Sequence, residues 1–214
     1  MTTLIVVRHG QSQSNLEQVF TGQGNTKLTE TGHAQAEATA AYLDRYRIDR
    51  IYASDLTRAM QTAAPTAKHQ GLQITPDPQL REICAGLWEA QPYVELMKQF
   101  PESYDLWLHD IGHARPDGGE STLELAARVY AEIDRLITEN RGRCIAIFTH
   151  ATPVRMLACQ WMDIPLEQAA EVPFCTNASI SVVEYDDDGQ HHLCYYGYNE
   201  HQGSLVTDFP KGIV

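Results

Sequence analysis

Positive charge is scarce in this chain: 16 Lys and Arg stand against 28 Asp and Glu in 214 residues, for a net charge of −12. Nucleic acids and anionic membrane surfaces are bound chiefly by clustered Lys and Arg, so neither is expected as a main partner. Long apolar runs are missing as well. No stretch approaches the roughly 20 residues of a membrane span, and the N-terminus shows no basic region followed by an apolar stretch and a cleavage site. A cytoplasmic protein is the expectation. Cysteine is sparse and unpatterned: Cys84, Cys144, Cys159, Cys175 and Cys194 are odd in number and nowhere spaced as Cys-x-x-Cys. That argues against a disulfide framework and against a zinc site. His109, His113 and the adjacent pair His191-His192 lack a carboxylate or thiol at clear ligand spacing, so no metal and no other cofactor is expected.

No repeat, low-complexity tract or linker divides the sequence, which implies one domain over residues 1–214. Its organising stretch comes early. Leu4-Ile5-Val6-Val7 is an unbroken apolar run, expected to be a strand buried on both faces, and it delivers Arg8-His9-Gly10 to its C-terminal end. Ligands of open α/β sheets bind at such ends, and Gly10, Ser12, Ser14 and Asn15 suit a tight turn that brings backbone N–H groups near an anion.

Strand and helix signals alternate from there on. Thr29 can cap a helix from about Glu30 to Tyr46. Ile51-Tyr52-Ala53 is a short strand, and Ser54 or Asp55 starts a helix to about Gln70 with a kink at Pro65. Leu72 to Leu80 is extended or looped. From about 90 to 119 the character changes to aromatic-rich short helices with no buried-strand signal, which suggests a cap inserted over the sheet edge. Ser121 and Glu124 form a capping box for a helix to about Glu139. Cys144 to Phe148 is a second continuously apolar strand and ends at Thr149-His150; Thr152 as N-cap and Pro153 then start the next helix. Ser179 to Tyr185 and His192 to Tyr198 make a hairpin, and the tail from Gly203 is expected to be loosely ordered. The pattern predicts a three-layer α/β/α sandwich with a mostly parallel sheet.

The polar residues at the loop side of these strands are Arg8, His9, Asn15, Arg58, Glu82 and His150. Two arginines, two histidines and one carboxylate suit a phosphate site with a nucleophile and an acid. Arg8-His9-Gly10-Gln11-Ser12-Gln13-Ser14-Asn15, Leu28-Thr29-Glu30-Thr31-Gly32, Ser54-Asp55-Leu56-Thr57-Arg58, Leu80-Arg81-Glu82 with Gly86 and Trp88-Glu89, Gly118-Gly119-Glu120-Ser121 and Thr149-His150 resemble the histidine phosphatase superfamily, in its phosphoglycerate mutase-like branch. The resemblance runs in order from Leu4 to Arg155. It implies that His9 is the nucleophile forming phosphohistidine, that Arg8, Arg58 and His150 hold the phosphate oxygens, that Asn15 donates to the phosphate, and that Glu82 is the general acid. Chemistry is consistent with each role. Planar guanidinium groups match phosphoryl oxygens with paired hydrogen bonds. His9 must attack as a neutral imidazole whose other nitrogen donates to a backbone carbonyl, whereas His150 is expected to act as a cation. Glu82 must carry a proton near neutral pH, which burial beside the phosphate dianion favours.

The implied substrate is a small phosphomonoester. Hydrolysis is favoured over a cofactor-dependent phosphoglycerate mutase because residues 91–118 carry Lys98 and Arg115 against Glu95, Glu102, Asp105, Asp110 and Asp117, a balance that would repel a second anionic group. A non-catalytic phospho-ligand-binding module is the third reading, and a homodimer is left open. Glu89 is taken as structural, and Trp107 as core before substrate contact.

Overall fold

The computed structural model describes residues 1–208. In chain order the elements are β1 (Thr2–Arg8), α1 (Gln13–Leu16), β2 (Val19–Phe20), α2 (Glu30–Leu43), β3 (Arg50–Ala53), α3 (Thr57–Gln70), β4 (Ile74–Pro76) and β5 (Gln91–Pro92). They continue with α4 (Tyr93–Gln99), α5 (Pro101–His109), α6 (Thr122–Glu139), β6 (Cys144–Thr149), α7 (Ala151–Trp161), β7 (Ile180–Tyr185) and β8 (His191–Tyr198). Six strands form one sheet in the order β4-β3-β6-β1-β7-β8, and β2 pairs with β5 in a separate ribbon. The β4–β3, β3–β6 and β6–β1 pairs are parallel, while β1–β7 and β7–β8 are antiparallel, so the sheet is mostly parallel, as expected.

The two apolar runs recognised in the sequence are the paired centre of that sheet. β1 and β6 lie side by side with Arg8 opposite Thr149, so His9 and His150 leave adjacent parallel strands at the same end. Apolar side chains face both sides. Leu4, Val6, Ile145 and Ile147 pack against Leu125, Val129 and Leu157 of α6 and α7. Ile5, Val7, Ala146 and Phe148 pack on the opposite face with Leu43 and Ala63 of α2 and α3. Burial on both faces is why these strands show no polar alternation.

Several boundaries differ from expectation, each because a distant group supplies what the local sequence was expected to supply. α2 ends at Leu43 rather than Tyr46; the Tyr46 N–H bonds the Leu43 carbonyl in a turn and its hydroxyl meets that of Tyr195. α3 starts at Thr57, not at Ser54 or Asp55, because Asn25 Oδ1 accepts the Thr57 N–H while Ser54 and Asp55 bond His150 and Arg81. The helix runs on through Pro65. Thr152 is not an N-cap: α7 begins at Ala151, and the Thr152 N–H donates to Glu82. Leu72 to Leu80 is extended over the edge strand β4, as expected, and departs from expectation only in the helical turn Pro78–Leu80 that follows. Gly203 to Asp208 is not loose, since Gln35 Nε2 donates to the Leu205 carbonyl and to Thr207 Oγ1; the rest of the tail lies outside the described residues. The capping box at Ser121 and Glu124 is present as expected.

Candidate active site

The end of β1 is fixed from several directions. The Arg8 N–H donates to the Ser179 carbonyl and the His9 N–H to the Thr149 carbonyl, while Ala178 N–H and Asn177 Nδ2 both donate to the His9 carbonyl. Gly10 and Gly32 are needed for close approach: a Cβ on Gly10 would sit 2.6 Å from the Gly32 carbonyl oxygen, and one on Gly32 would sit 2.1 Å from that of Gln11. The turn after His9 therefore packs backbone to backbone on α2. His9 itself is locked at both ring nitrogens. Nδ1 lies 2.7 Å from the Gly10 carbonyl, which only accepts, and Nε2 lies 3.2 Å from Nε of Arg58, which only donates. Nδ1 thus carries the proton and Nε2 presents a lone pair. Burial first, then the Arg58 and Arg8 charges, hold the ring well below its ordinary pKa, so it stays neutral.

Arg58 is buried, and its two amino groups donate to the carbonyls of Gly24 and Gly22 at 2.8 Å each. Arg8 donates to the Cys175 carbonyl, and its Cζ stands 4.5 Å from the Phe174 ring centre. Burial lowers both guanidinium pKa values to about 10, which leaves them charged at neutral pH. His150 is fully buried with its ring 5.2 Å from that of His9, and its Nε2 lies 2.8 Å from Ser54 Oγ. Burial, then Arg58 and His9, push it well below its ordinary pKa. In the protein alone His150 is therefore neutral, against the expectation of a cation; a bound anion would have to raise it.

Glu82 is half-buried, less than the sequence argument asked. One carboxylate oxygen accepts from the Ile83 N–H at 2.9 Å and the other from the Thr152 N–H at 3.3 Å in the first turn of α7. Arg128 clamps the same loop, donating to the Gln79 and Glu82 carbonyls and pairing with Glu120. Asn15 Oδ1 accepts from Ser12 N–H and Asn177 Nδ2, which leaves the amide nitrogen as the group Asn15 can offer a ligand.

Arg8, His9, Asn15, Arg58 and Glu82 line one cleft of about 610 Å³, joined by Arg155 and by the aromatic side chains Phe20, Tyr93, Trp107 and Phe174. His150 stands beside His9 and off the cleft wall. Sequence reasoning missed Ser54, Asn177, Phe174 and Arg155. The charges counted on residues 91–118 stand away from the cleft. Lys98 pairs with Glu95, Asp105 with His109, Asp110 with His113 and Arg115 with Glu124, Asp117 accepts from Trp88 and Ser103, and none of the charged residues of this segment, Glu102 included, lines the cleft. Glu89 is structural as expected, accepting from the Gln23 and Ala85 N–H groups. Trp107 packs against Phe20 and Trp88 while one side meets the cleft.

A neutral imidazole flanked by two buried guanidinium groups at the end of a parallel strand is an arrangement suited to an anionic ligand. Residues 4–196 match the model of the histidine phosphatase superfamily (branch 1), and the chain belongs to that superfamily. It is 33% identical over 192 residues to a bifunctional protein of Mycobacterium tuberculosis; the alignment covers 88% of this chain and 51% of that protein, so the chain spans about half the length of that relative. It is 28% identical to phosphoserine phosphatase 1 of Hydrogenobacter thermophilus, covering 87% of this chain and 88% of that one. Among solved structures, Bacillus stearothermophilus YhfR superposes with a TM-score of 0.90 at 27% identity, covering 94% of this chain and all of that one. Among the described residues no helix is long and apolar enough to cross a membrane.

Proposed function

We propose that this protein hydrolyses small phosphomonoesters through a phosphohistidine on His9. The observation that carries the reading is the tautomer of His9: Nδ1–H bonded to Gly10, and the Nε2 lone pair facing Arg58 in the cleft. Arg8, Arg58 and His150 hold the three phosphoryl oxygens, with Asn15 as a further donor. As the phosphate binds, the Arg58 Nε–H passes from Nε2 to a phosphoryl oxygen and frees the lone pair; Nε2 then attacks phosphorus, the ester P–O bond breaks, and Glu82 gives its proton to the departing alkoxide. Water then attacks the phosphohistidine and returns a proton to Glu82, and inorganic phosphate leaves with His9 restored. No metal or cofactor enters these steps. Residues 90–119 serve as the cap of a single domain, closing the aromatic side of the cleft. Relatives named as phosphatases, such as phosphoserine phosphatase 1, support hydrolysis as the outcome.

The test is labelling with a phosphoryl donor. A hydrolase gives an acid-labile, base-stable adduct that His9→Ala abolishes, and releases phosphate. A mutase shows exchange stimulated by 2,3-bisphosphoglycerate, and a binding module gives neither adduct nor turnover.

A further inference from the structure

Arg155 is a cation in the cleft that the phosphate reading leaves unused. It lies one turn after Ala151 on α7, and both line the same cleft as Arg8, His9 and Glu82. Its Nε is sealed from solvent and has no hydrogen-bond acceptor among the described residues. No carboxylate among them pairs with it, whereas Arg81, Arg115, Arg128 and Arg135 each hold one. Tyr196, Cys159 and Cys175 are the groups that electrostatically oppose its desolvation, and none of them carries a negative charge at neutral pH. Phe174 fixes its position: the Arg155 Cζ stands 5.6 Å from that ring centre and the Arg8 Cζ 4.5 Å from it. The two guanidinium carbons are therefore no further apart than those distances laid end to end.

A desolvated charge without a counterion is unfavourable unless something supplies the opposite charge. In a cleft whose remaining lining includes the apolar and aromatic side chains Phe20, Tyr93, Trp107 and Ile111, that something must arrive with the ligand. We propose that Arg155 is a specificity-determining residue that binds a carboxylate, so the substrates are small phosphomonoesters of carboxylic acids. This rests on the phosphohistidine reading, which places the phosphoryl group on Arg8 and Arg58. A carboxylate suits the site better than a second phosphate, because one planar guanidinium satisfies a carboxylate with two parallel bonds, and the other two cations lining the cleft, Arg8 and Arg58, are taken by the phosphoryl group. The bound on the distance between Arg8 and Arg155 suits a compact substrate that carries its carboxylate and its phosphoryl group on one small skeleton.

The test is calorimetric binding of 3-phosphonopropionate and propylphosphonate, which differ in a carboxylate against a methyl group, with hydrolysis of p-nitrophenyl phosphate run in parallel. The wild-type protein is expected to bind 3-phosphonopropionate at least about tenfold more tightly, the effect of one charge-assisted pair. Arg155→Gln is expected to bring the ratio to within about twofold of unity, and Arg155→Lys to leave it in between, since an ammonium keeps the charge and loses the fork. Thermal melting checks that each variant folds, and if Arg155→Gln does not, Arg155→Lys decides alone. Equal binding of both compounds, binding of neither, or an undiminished ratio in the folded variants overturns the carboxylate subsite. Discrimination that persists in a wild-type protein unable to hydrolyse any phosphomonoester overturns the phosphohistidine reading and leaves the subsite standing.

Discussion

Arg58 donates from Nε to Nε2 of His9 across 3.2 Å, while its other two nitrogens donate to the carbonyls of Gly24 and Gly22. One guanidinium thus does two things: it fixes the tautomer of the proposed nucleophile, and it is itself held in place by a loop. Both depend on planar, forked donors, which Lys cannot reproduce.

Arg58→Ala and Arg58→Lys are therefore both expected to lower kcat/KM for a phosphomonoester by at least about a hundredfold, the scale seen when a preorganised donor to a transition-state oxygen is removed. Steady-state kinetics on the two purified variants measure this. A Lys variant within a few fold of wild type would mean that point charge, and not the fork, is what the site uses.

Glu82 accepts from the Thr152 N–H at the start of α7, which holds its carboxyl at the mouth of the cleft. If it protonates the leaving group, its loss matters most when the leaving alcohol is a poor one. Glu82→Gln is expected to slow hydrolysis of alkyl phosphates by about a hundredfold or more and of p-nitrophenyl phosphate by less than about tenfold. Equal losses on both substrates would remove Glu82 from the acid role.

The site's main strands were legible because each is a continuous apolar run that ends at a polar site residue, a pattern that buried parallel strands impose directly on sequence. The capping box at Ser121 and the last hairpin were legible for the same local reason. What stayed hidden is non-local. Asn25 caps α3 and Glu82 engages the start of α7, so the locally plausible caps Ser54, Asp55 and Thr152 went unused. Asn177 reaches His9 only because β7 pairs antiparallel with β1, which no residue spacing announces. Arg155 was overlooked because charge was counted on residues 91–118, while the extra cation comes from a helix outside them. Helical spacing could have found it, since Arg155 falls four residues after Ala151 and shares its face.

Ser54 is buried, and its hydroxyl lies 2.8 Å from Nε2 of His150. The contact orients a ring whose proposed task is to meet phosphate oxygens, so Ser54 is a positioning residue. Ser54→Ala is expected to lower kcat/KM by about tenfold in the wild-type background, a typical cost for losing an orienting partner, and to change it little in a His150→Asn background. The double-mutant cycle reads the coupling directly. Additive effects would show that Ser54 acts through packing alone.

Stability should fall on mild acidification, and the direction follows from the two site histidines. His9 and His150 are both held well below the ordinary histidine pKa, chiefly by burial. The unfolded chain then binds protons that the folded chain refuses, so the stabilisation is complete above pH 6.5 and is lost as pH falls below it toward the folded values. Each ring changes stability by up to about 1.4 kcal/mol per pH unit in that window. Asp77 works in the opposite sense. Burial and its contact with Glu132 raise it to about 6, so its contribution is present at low pH and lost as pH rises through that value, offsetting part of the histidine effect. His201, lowered to about 4 chiefly by burial, adds to the loss in the same window, so between pH 7.5 and 5.5 the net loss expected is about 3 kcal/mol, read from urea unfolding at constant ionic strength. His150→Asn should give a shallower profile, and saturating inorganic phosphate should flatten the wild-type one, because an anion beside the rings favours their protonated forms in the folded state. A wild-type profile that is flat without phosphate would mean that burial does not hold the two rings below their ordinary pKa, and that the folded protein takes up their protons in mild acid as readily as the unfolded chain does.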